Sequence, residues 1–116
     1  MKDKRKHKRV KLIYYLEIID NKTNKSLGHL VDITPEGLMM ISEEEIPTGT
    51  EFHLKMLLPE TAYGNKKAIS FKANSRWAKR DVNPAFFASG YQIVDIGPVE
   101  SETITSLIDN FAFNGS

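Results

Sequence analysis

Hydrophobic and polar positions alternate along most of this chain. Val10, Leu12, Tyr14, Leu16 and Ile18 share one face of a period-two pattern, which predicts a first strand. Asp20 to Asn24 is a polar turn, and Leu27 to Ile33 reads as a second strand weakened by Gly28. The stretch Asp32-Ile33-Thr34-Pro35-Glu36-Gly37 interrupts it, and Leu38 to Ile41 predicts a short third strand. Ser42 to Gly49 is a polar connection carrying Glu43-Glu44-Glu45 and Pro47. The clearest strand follows, where Phe52, Leu54, Met56 and Leu58 alternate with Glu51, His53 and Lys55. After a loop from Pro59 to Asn65, Lys67 to Lys79 alternates again. Ile69, Phe71, Ala73 and Trp77 are in phase there, which places Trp77 in the core and turns Arg76 the opposite way. Asp81 to Pro84 is a turn, and Phe86 to Ile96 is a last long strand.

The period then changes. Ile104, Leu107, Ile108 and Phe111 have the i, i+3, i+4, i+7 spacing of an amphipathic helix. Gly97 fits its N-cap, Pro98 its first turn, and Glu100 the positive end of its dipole. Six short strands separated by turns, followed by one helix, predict an all-β chain. Its architecture is a small antiparallel six-stranded barrel, because closure removes exposed strand edges. The expected division is a single domain over 1–116, with a basic arm over 1–9, the barrel over 10–97 and the helix over 98–112.

Composition sharpens this picture. A chain of 116 residues, 41% hydrophobic and 27% charged, suits one globular core and is too short for two ordinary domains. Net charge is only +1, but its placement is uneven. Lys2, Lys4, Arg5, Lys6, Lys8, Arg9 and Lys11 are opposed locally by Asp3 alone. A basic arm on a nearly neutral body points to an anionic partner held in one place. There is no cysteine, so disulfides, thiol catalysis and thiolate metal sites are excluded. No apolar run approaches the length that spans a bilayer, so no membrane partner is expected. The stretch after the basic N-terminus contains Glu17 and lacks a small-residue cleavage site, unlike a secretory signal. Two glycosylation-type sequons, at Asn21 and Asn24, therefore read as polar turn residues, and the expected location is the cytoplasm.

Enzyme readings find no support in the motifs. His7, His29 and His53 are scattered and lack the spacing of a metal site. There is no G-x-S-x-G turn, no P-loop and no dinucleotide fingerprint. Glu43-Glu44-Glu45 reads as a solvated acidic turn, because consecutive residues point in different directions. No catalytic residue, metal or cofactor is assigned.

Two features can carry binding chemistry. Arg5-Lys6-His7-Lys8-Arg9 spaces two arginines as RxxxR. The guanidinium fork fits phosphate oxygens, or the O6/N7 edge of guanine, in a bidentate manner. A solubilising tail accounts for the same residues. The second feature is Asp32-x-Thr34-x-x-Gly37. Residues two apart in an extended chain share one side, so a carboxylate and a hydroxyl meet at one surface spot. An ionised Asp can accept from the N1 and N2 hydrogens of guanine, and Gly37 admits close approach. Taken alone, these residue types fit a tight turn better, since Asp, Thr, Pro and Gly are all turn formers.

An RxxxR in an N-terminal arm, followed after one hairpin by [D/N]-x-[S/T]-x-x-G, resembles the PilZ domain, the receptor family for the bacterial second messenger cyclic diguanylate (c-di-GMP). The resemblance extends over essentially the whole chain, with Ser89-Gly90-Tyr91-Gln92-Ile93 and the terminal helix in the places of the last barrel strand and helix. It implies a PilZ-like split barrel and a signalling receptor without catalysis. It also implies that Arg5 and Arg9 contact guanine and phosphate, while Asp32, Thr34 and Gly37 line the guanine pocket. Thr34 stands where serine is commoner and keeps the hydroxyl. Lys4, just before the first motif arginine, occupies a position implicated in whether one ligand or a stacked pair binds. Arg76 and Trp77 are possible additional contacts, one as a cation and the other as a stacking platform, although core packing also accounts for Trp77. The downstream partner implied is a separate, unidentified protein.

Two alternatives remain open at this level. One is a small nucleic-acid-binding barrel, which the lack of a basic and aromatic stripe outside the arm disfavours. The other is a PilZ-like adaptor acting through protein contacts without a ligand, which the presence of both motifs disfavours.

Overall fold

The computed structural model describes residues 11–12, 16–58 and 67–113, with the side chains of 16–58 and 67–109. Among the described residues the strands are β1 (Lys11–Leu12), β2 (Glu17–Asp20), β3 (Ser26–Thr34), β4 (Gly37–Ser42), β5 (Glu51–Leu57), β6 (Ala68–Arg80), β7 (Phe87–Asp95) and β8 (Ala112–Phe113). The helix α1 (Pro98–Phe111) precedes β8. Val10 and Tyr14 of the expected first strand, the side chains of Leu12 and Phe111, and the loop from Pro59 to Asn65 lie outside the described residues.

Six strands run in the order β2-β5-β6-β7-β4-β3, all antiparallel, and β2 pairs with β3 to close the barrel. The expected six-stranded antiparallel barrel with a C-terminal helix is therefore present. The expected first strand is divided into β1 and β2. Between the pairs Lys11↔Asp32 and Glu17↔His29, the chain advances six residues while β3 advances three. Beta1 and β2 thus hold different registers on the same strand. The barrel is split at β3, whose first half pairs with β2 and whose end pairs with β1. On its far side β1 pairs with β8, so Lys11 stands between Asp32 and Phe113.

Alternation explains the core. Ile18, Leu30, Met40, Leu54, Met56, Ile69, Phe71 and Ala73 point inward and are buried. Ile104 and Leu107 bring the helix stripe onto the same cluster, and α1 packs against β3 and β6. Gly97 caps the helix through its carbonyl, which accepts from Ser101 N–H at 2.9 Å. Among the described residues no helix is long and apolar enough to cross a membrane.

Candidate functional site on the outer wall

Two β-bulges decide which way the candidate residues face. On β3 the pairs run from Leu30↔Met40 to Asp32↔Met39, which makes Val31 an extra residue. Leu30 and Ile33 are both buried although three apart, so the bulge shifts the phase. In strict alternation Asp32 would follow Leu30 into the core; with the bulge it lies beside Met39 on the outer wall. On β6 the pairs run from Ser75↔Tyr91 to Trp77↔Gly90, which makes Arg76 the extra residue. Ser75 is fully buried, whereas Trp77 is 39% exposed. Trp77 is therefore not a core residue. Period-two counting places it inside because it allows one residue per step, and the bulge uses two. For the same reason Arg76 does not oppose Trp77; both are exposed.

The result is a row across four strands of the outer wall: Asp32, Met39, Gly90 and Trp77. Three strand spacings separate its ends, roughly 14 Å. Beside it runs a second row, Thr34, Gly37, Gln92 and Asn74. The backbone of Lys11 extends the first row past Asp32.

Each side chain has a local cause for its position. Thr34 closes the β3–β4 turn: its Oγ1 accepts from the N–H of Glu36 at 3.3 Å and of Gly37 at 3.1 Å. Turn-making is thus a real role of this hydroxyl. The Glu36 carbonyl accepts from Ile93 N–H at 2.8 Å and ties the turn to β7. A Cβ on Gly37 would run into the Tyr91 carbonyl, so glycine permits the close pairing there. Asp32 is half-buried beside the turn.

At the other end of the row, the indole of Trp77 occupies the space that a side chain at Gly90 would need. Lys79 Nζ lies 5.6 Å from the Trp77 ring centroid, and Arg76 Nη1 donates to Gln92 Oε1 at 2.6 Å. The wall thus brings together the Asp32 carboxylate, whose Oδ1 is buried, an aromatic face and cations. Below it, Tyr91 is buried, which raises its phenol pKa above the ordinary 10.0, while the 3.0 Å hydrogen bond with Ser89 opposes that shift.

Sequence reasoning missed Met39, Gly90, Gln92, Asn74 and Lys79 as members of this wall. Gly90 carried a signal, since a glycine inside a strand pattern marks a close approach. Lys4, Arg5 and Arg9 lie outside the described residues. Among the described residues no three His, Asp or Glu side chains gather as a metal site.

A closed six-stranded antiparallel barrel, split at one strand and packed by a C-terminal helix, is the class of protein this fold defines. The PilZ domain model matches residues 3–110, and the chain belongs to the PilZ domain family. Among solved structures, it is similar to the Bacillus subtilis inhibitor of motility MotI/DgrA, with a TM-score of 0.69 at 14% identity. That match covers 93% of this chain and 51% of the other, so the chain spans about half the length of the Bacillus protein. It is also similar to the PilZ domain of Escherichia coli YcgR solved with c-di-GMP, with a TM-score of 0.64 at 14% identity, covering 94% of this chain and 92% of that one. YcgR in complex with c-di-GMP aligns with a TM-score of 0.65 at 14% identity, covering 91% and 45%. No curated protein matches the sequence.

Proposed function

We propose that this PilZ domain is a receptor for c-di-GMP. Arg5 and Arg9 of the arm and Asp32, Thr34 and Gly37 of the outer wall hold the ligand between them. The observation that carries this reading is the outward turn of Asp32 at the root of the arm. Lys11 pairs with Asp32, and an extended chain covers at most about 3.6 Å per residue, which keeps Arg9 within about 7 Å of Lys11 and Arg5 within about 22 Å. This length lets Arg9 reach the Asp32 end of the row and Arg5 reach along it toward Trp77.

The roles follow from chemistry. Guanidinium forks pair with the phosphates and stack on the bases. The Asp32 carboxylate accepts from the guanine N1 and N2 hydrogens. Trp77 offers a stacking face, and Arg76 and Lys79 add positive charge, with Lys4 beside the first motif arginine. One relative of this fold, Escherichia coli YcgR, was solved with this ligand both as its PilZ domain and as a longer chain, which supports the choice of anion. The function is that of a cytoplasmic receptor and adaptor. Ligand capture orders the arm over the wall and changes the surface offered to a separate protein, and no bond is made or broken.

Titration calorimetry with c-di-GMP, using GTP and a short oligonucleotide as controls, tests this reading. Saturable binding of c-di-GMP alone is expected. Oligonucleotide binding with steep salt dependence and no heat from c-di-GMP would replace the receptor with a nucleic-acid-binding barrel.

A further inference from the structure

The β3–β4 hairpin has two ends. Its turn carries Asp32, Thr34 and Gly37. Its open end forms one side of a groove of about 860 Å³ that none of those three residues lines. Leu27, Val31, Ile41, Ile46, Phe52 and Phe86 give this groove an apolar lining. Glu43, Glu44 and Glu45 form its rim, all exposed. Lys25 stands on the same rim, which remains net acidic. Among the described residues no cation pairs with the three carboxylates.

The rim is held in place. Ser42 Oγ donates to the Glu44 carbonyl at 2.7 Å. Beyond the glutamates, the fully buried Ser75 donates to the Pro47 carbonyl at 2.6 Å and accepts from Thr50 N–H at 3.1 Å. Gly49 N–H donates to the Ser75 carbonyl at 2.7 Å. The acidic loop is thus fastened at both ends, which lowers the ordering cost of binding to it.

An occupant must cover apolar side chains and answer three carboxylates together. The chain's own arm meets only half of that requirement. From Lys2 to Arg9 it consists of Lys, Arg, His and Asp, with no apolar side chain. We propose that this groove docks an amphipathic basic segment of a partner protein, with apolar residues on one face and Lys or Arg flanking them. Apolar anchors enter between Val31, Ile41 and Phe52, and the flanking cations meet Glu43 to Glu45. The assignment does not rest on the c-di-GMP reading, because the two sites share no residue. Val31 does adjoin Asp32, so the groove begins one residue from the outer-wall row.

The probe is a designed helical peptide of about 18 residues, built from Leu and Lys with one apolar face. Its controls are a Leu/Glu twin and a peptide with the sequence of residues 2–9. Each is titrated into the full chain by fluorescence anisotropy, and binding is mapped by NMR. The Leu/Lys peptide should perturb Val31, Ile41 and Phe52, and its affinity should fall with added salt. The triple variant Glu43→Gln, Glu44→Gln, Glu45→Gln should bind it roughly tenfold more weakly, the summed effect of three exposed ion pairs. These positions are exposed, so the variant keeps the fold. The Leu/Glu twin and the arm peptide should leave the groove unperturbed.

The proposal fails if the Leu/Lys peptide perturbs only the Asp32–Trp77 wall, or if the triple variant binds it as well as the parent does. Groove perturbation by the arm peptide would make the arm the occupant and overturn a separate partner. Self-association in ultracentrifugation that the triple variant abolishes would assign the groove to a second copy and overturn it likewise.

Discussion

Gly90→Ala tests the geometry of the outer wall most directly. Gly90 stands opposite Trp77 across β6 and β7, and a Cβ there would overlap Nε1 and Cε2 of the indole. Backbone cannot yield easily, so the ring must swing away from the sheet. A fully covered tryptophan buries about 150–250 Å². Trp77 is 39% exposed, which leaves roughly 90–150 Å² covered. If displacement uncovers half of this, the loss is about 1–2 kcal/mol at 25 cal/mol per Å². In a Trp77→Ala background the obstruction is gone. There the same substitution should be neutral or stabilising by about 0.5–1 kcal/mol, since alanine loses less backbone freedom than glycine on folding. A double-mutant cycle should therefore give a coupling of about 2 kcal/mol between the two positions.

Urea denaturation followed by circular dichroism measures that coupling. Trp77 is the chain's single tryptophan, so emission reports on the ring itself and should shift to the red in Gly90→Ala. Calorimetry on the same proteins adds the ligand. If Trp77 stacks on a guanine, its loss weakens c-di-GMP binding by about 1–3 kcal/mol, and Gly90→Ala adds nothing once the indole is gone. Additive stabilities, within about 0.5 kcal/mol, together with unshifted emission would refute the packing of Trp77 over Gly90.

Other substitutions address the remaining elements. Arg5→Ala and Arg9→Ala should each weaken c-di-GMP binding by about 1–3 kcal/mol in calorimetry, and lysine should not restore it because the fork is lost. Unchanged affinity in the double alanine variant would remove the arm from the site. Thr34→Val removes the acceptor for two turn amides and should cost about 0.5–1.5 kcal/mol in urea denaturation, while Thr34→Ser should be nearly neutral; equal midpoints for both would show that the hydroxyl does not hold the turn. For Tyr91 the folded pKa is raised by burial, so its stabilising contribution is complete below the unfolded value of 10.0 and is lost as pH rises above that value through the folded pKa. Urea midpoints should therefore fall less steeply above pH 10.0 in Tyr91→Phe than in the parent, and parallel curves would exclude this source. Deleting Arg76 restores a regular pairing with Ser75 still opposite Tyr91 and Trp77 opposite Gly90, so the variant should fold with unshifted Trp77 emission. Emission from a buried indole would contradict the bulge.

The barrel was legible because inward residues alternate with polar ones, as Phe52, Leu54 and Met56 do with Glu51, His53 and Lys55, and alternation alone then assigns the faces. The helix was legible for the matching reason, since Ile104 and Leu107 stand three apart on one stripe and both reach the core. What alternation cannot show is an interruption in its own count. Val31 and Arg76 are ordinary residues, and nothing in their chemistry marks them as extra. Each bulge is fixed by partners distant in sequence: Met39 and Met40 for Val31, Gly90 and Tyr91 for Arg76. The same non-locality hides the anchoring of the acidic loop, because Ser75 meets Pro47 from 28 residues away. Ser75 did sit in core phase between Ala73 and Trp77, and a hydroxyl in that phase requires a partner once buried. Gly90 carried the other trace, as a gap in an otherwise side-chain-bearing strand. The candidate residues Asp32 and Trp77 were thus found by chemical type, but their common outer face depends on two departures from regular pairing. Without these departures, strict alternation from Leu30 or Ala73 would turn both residues into the core.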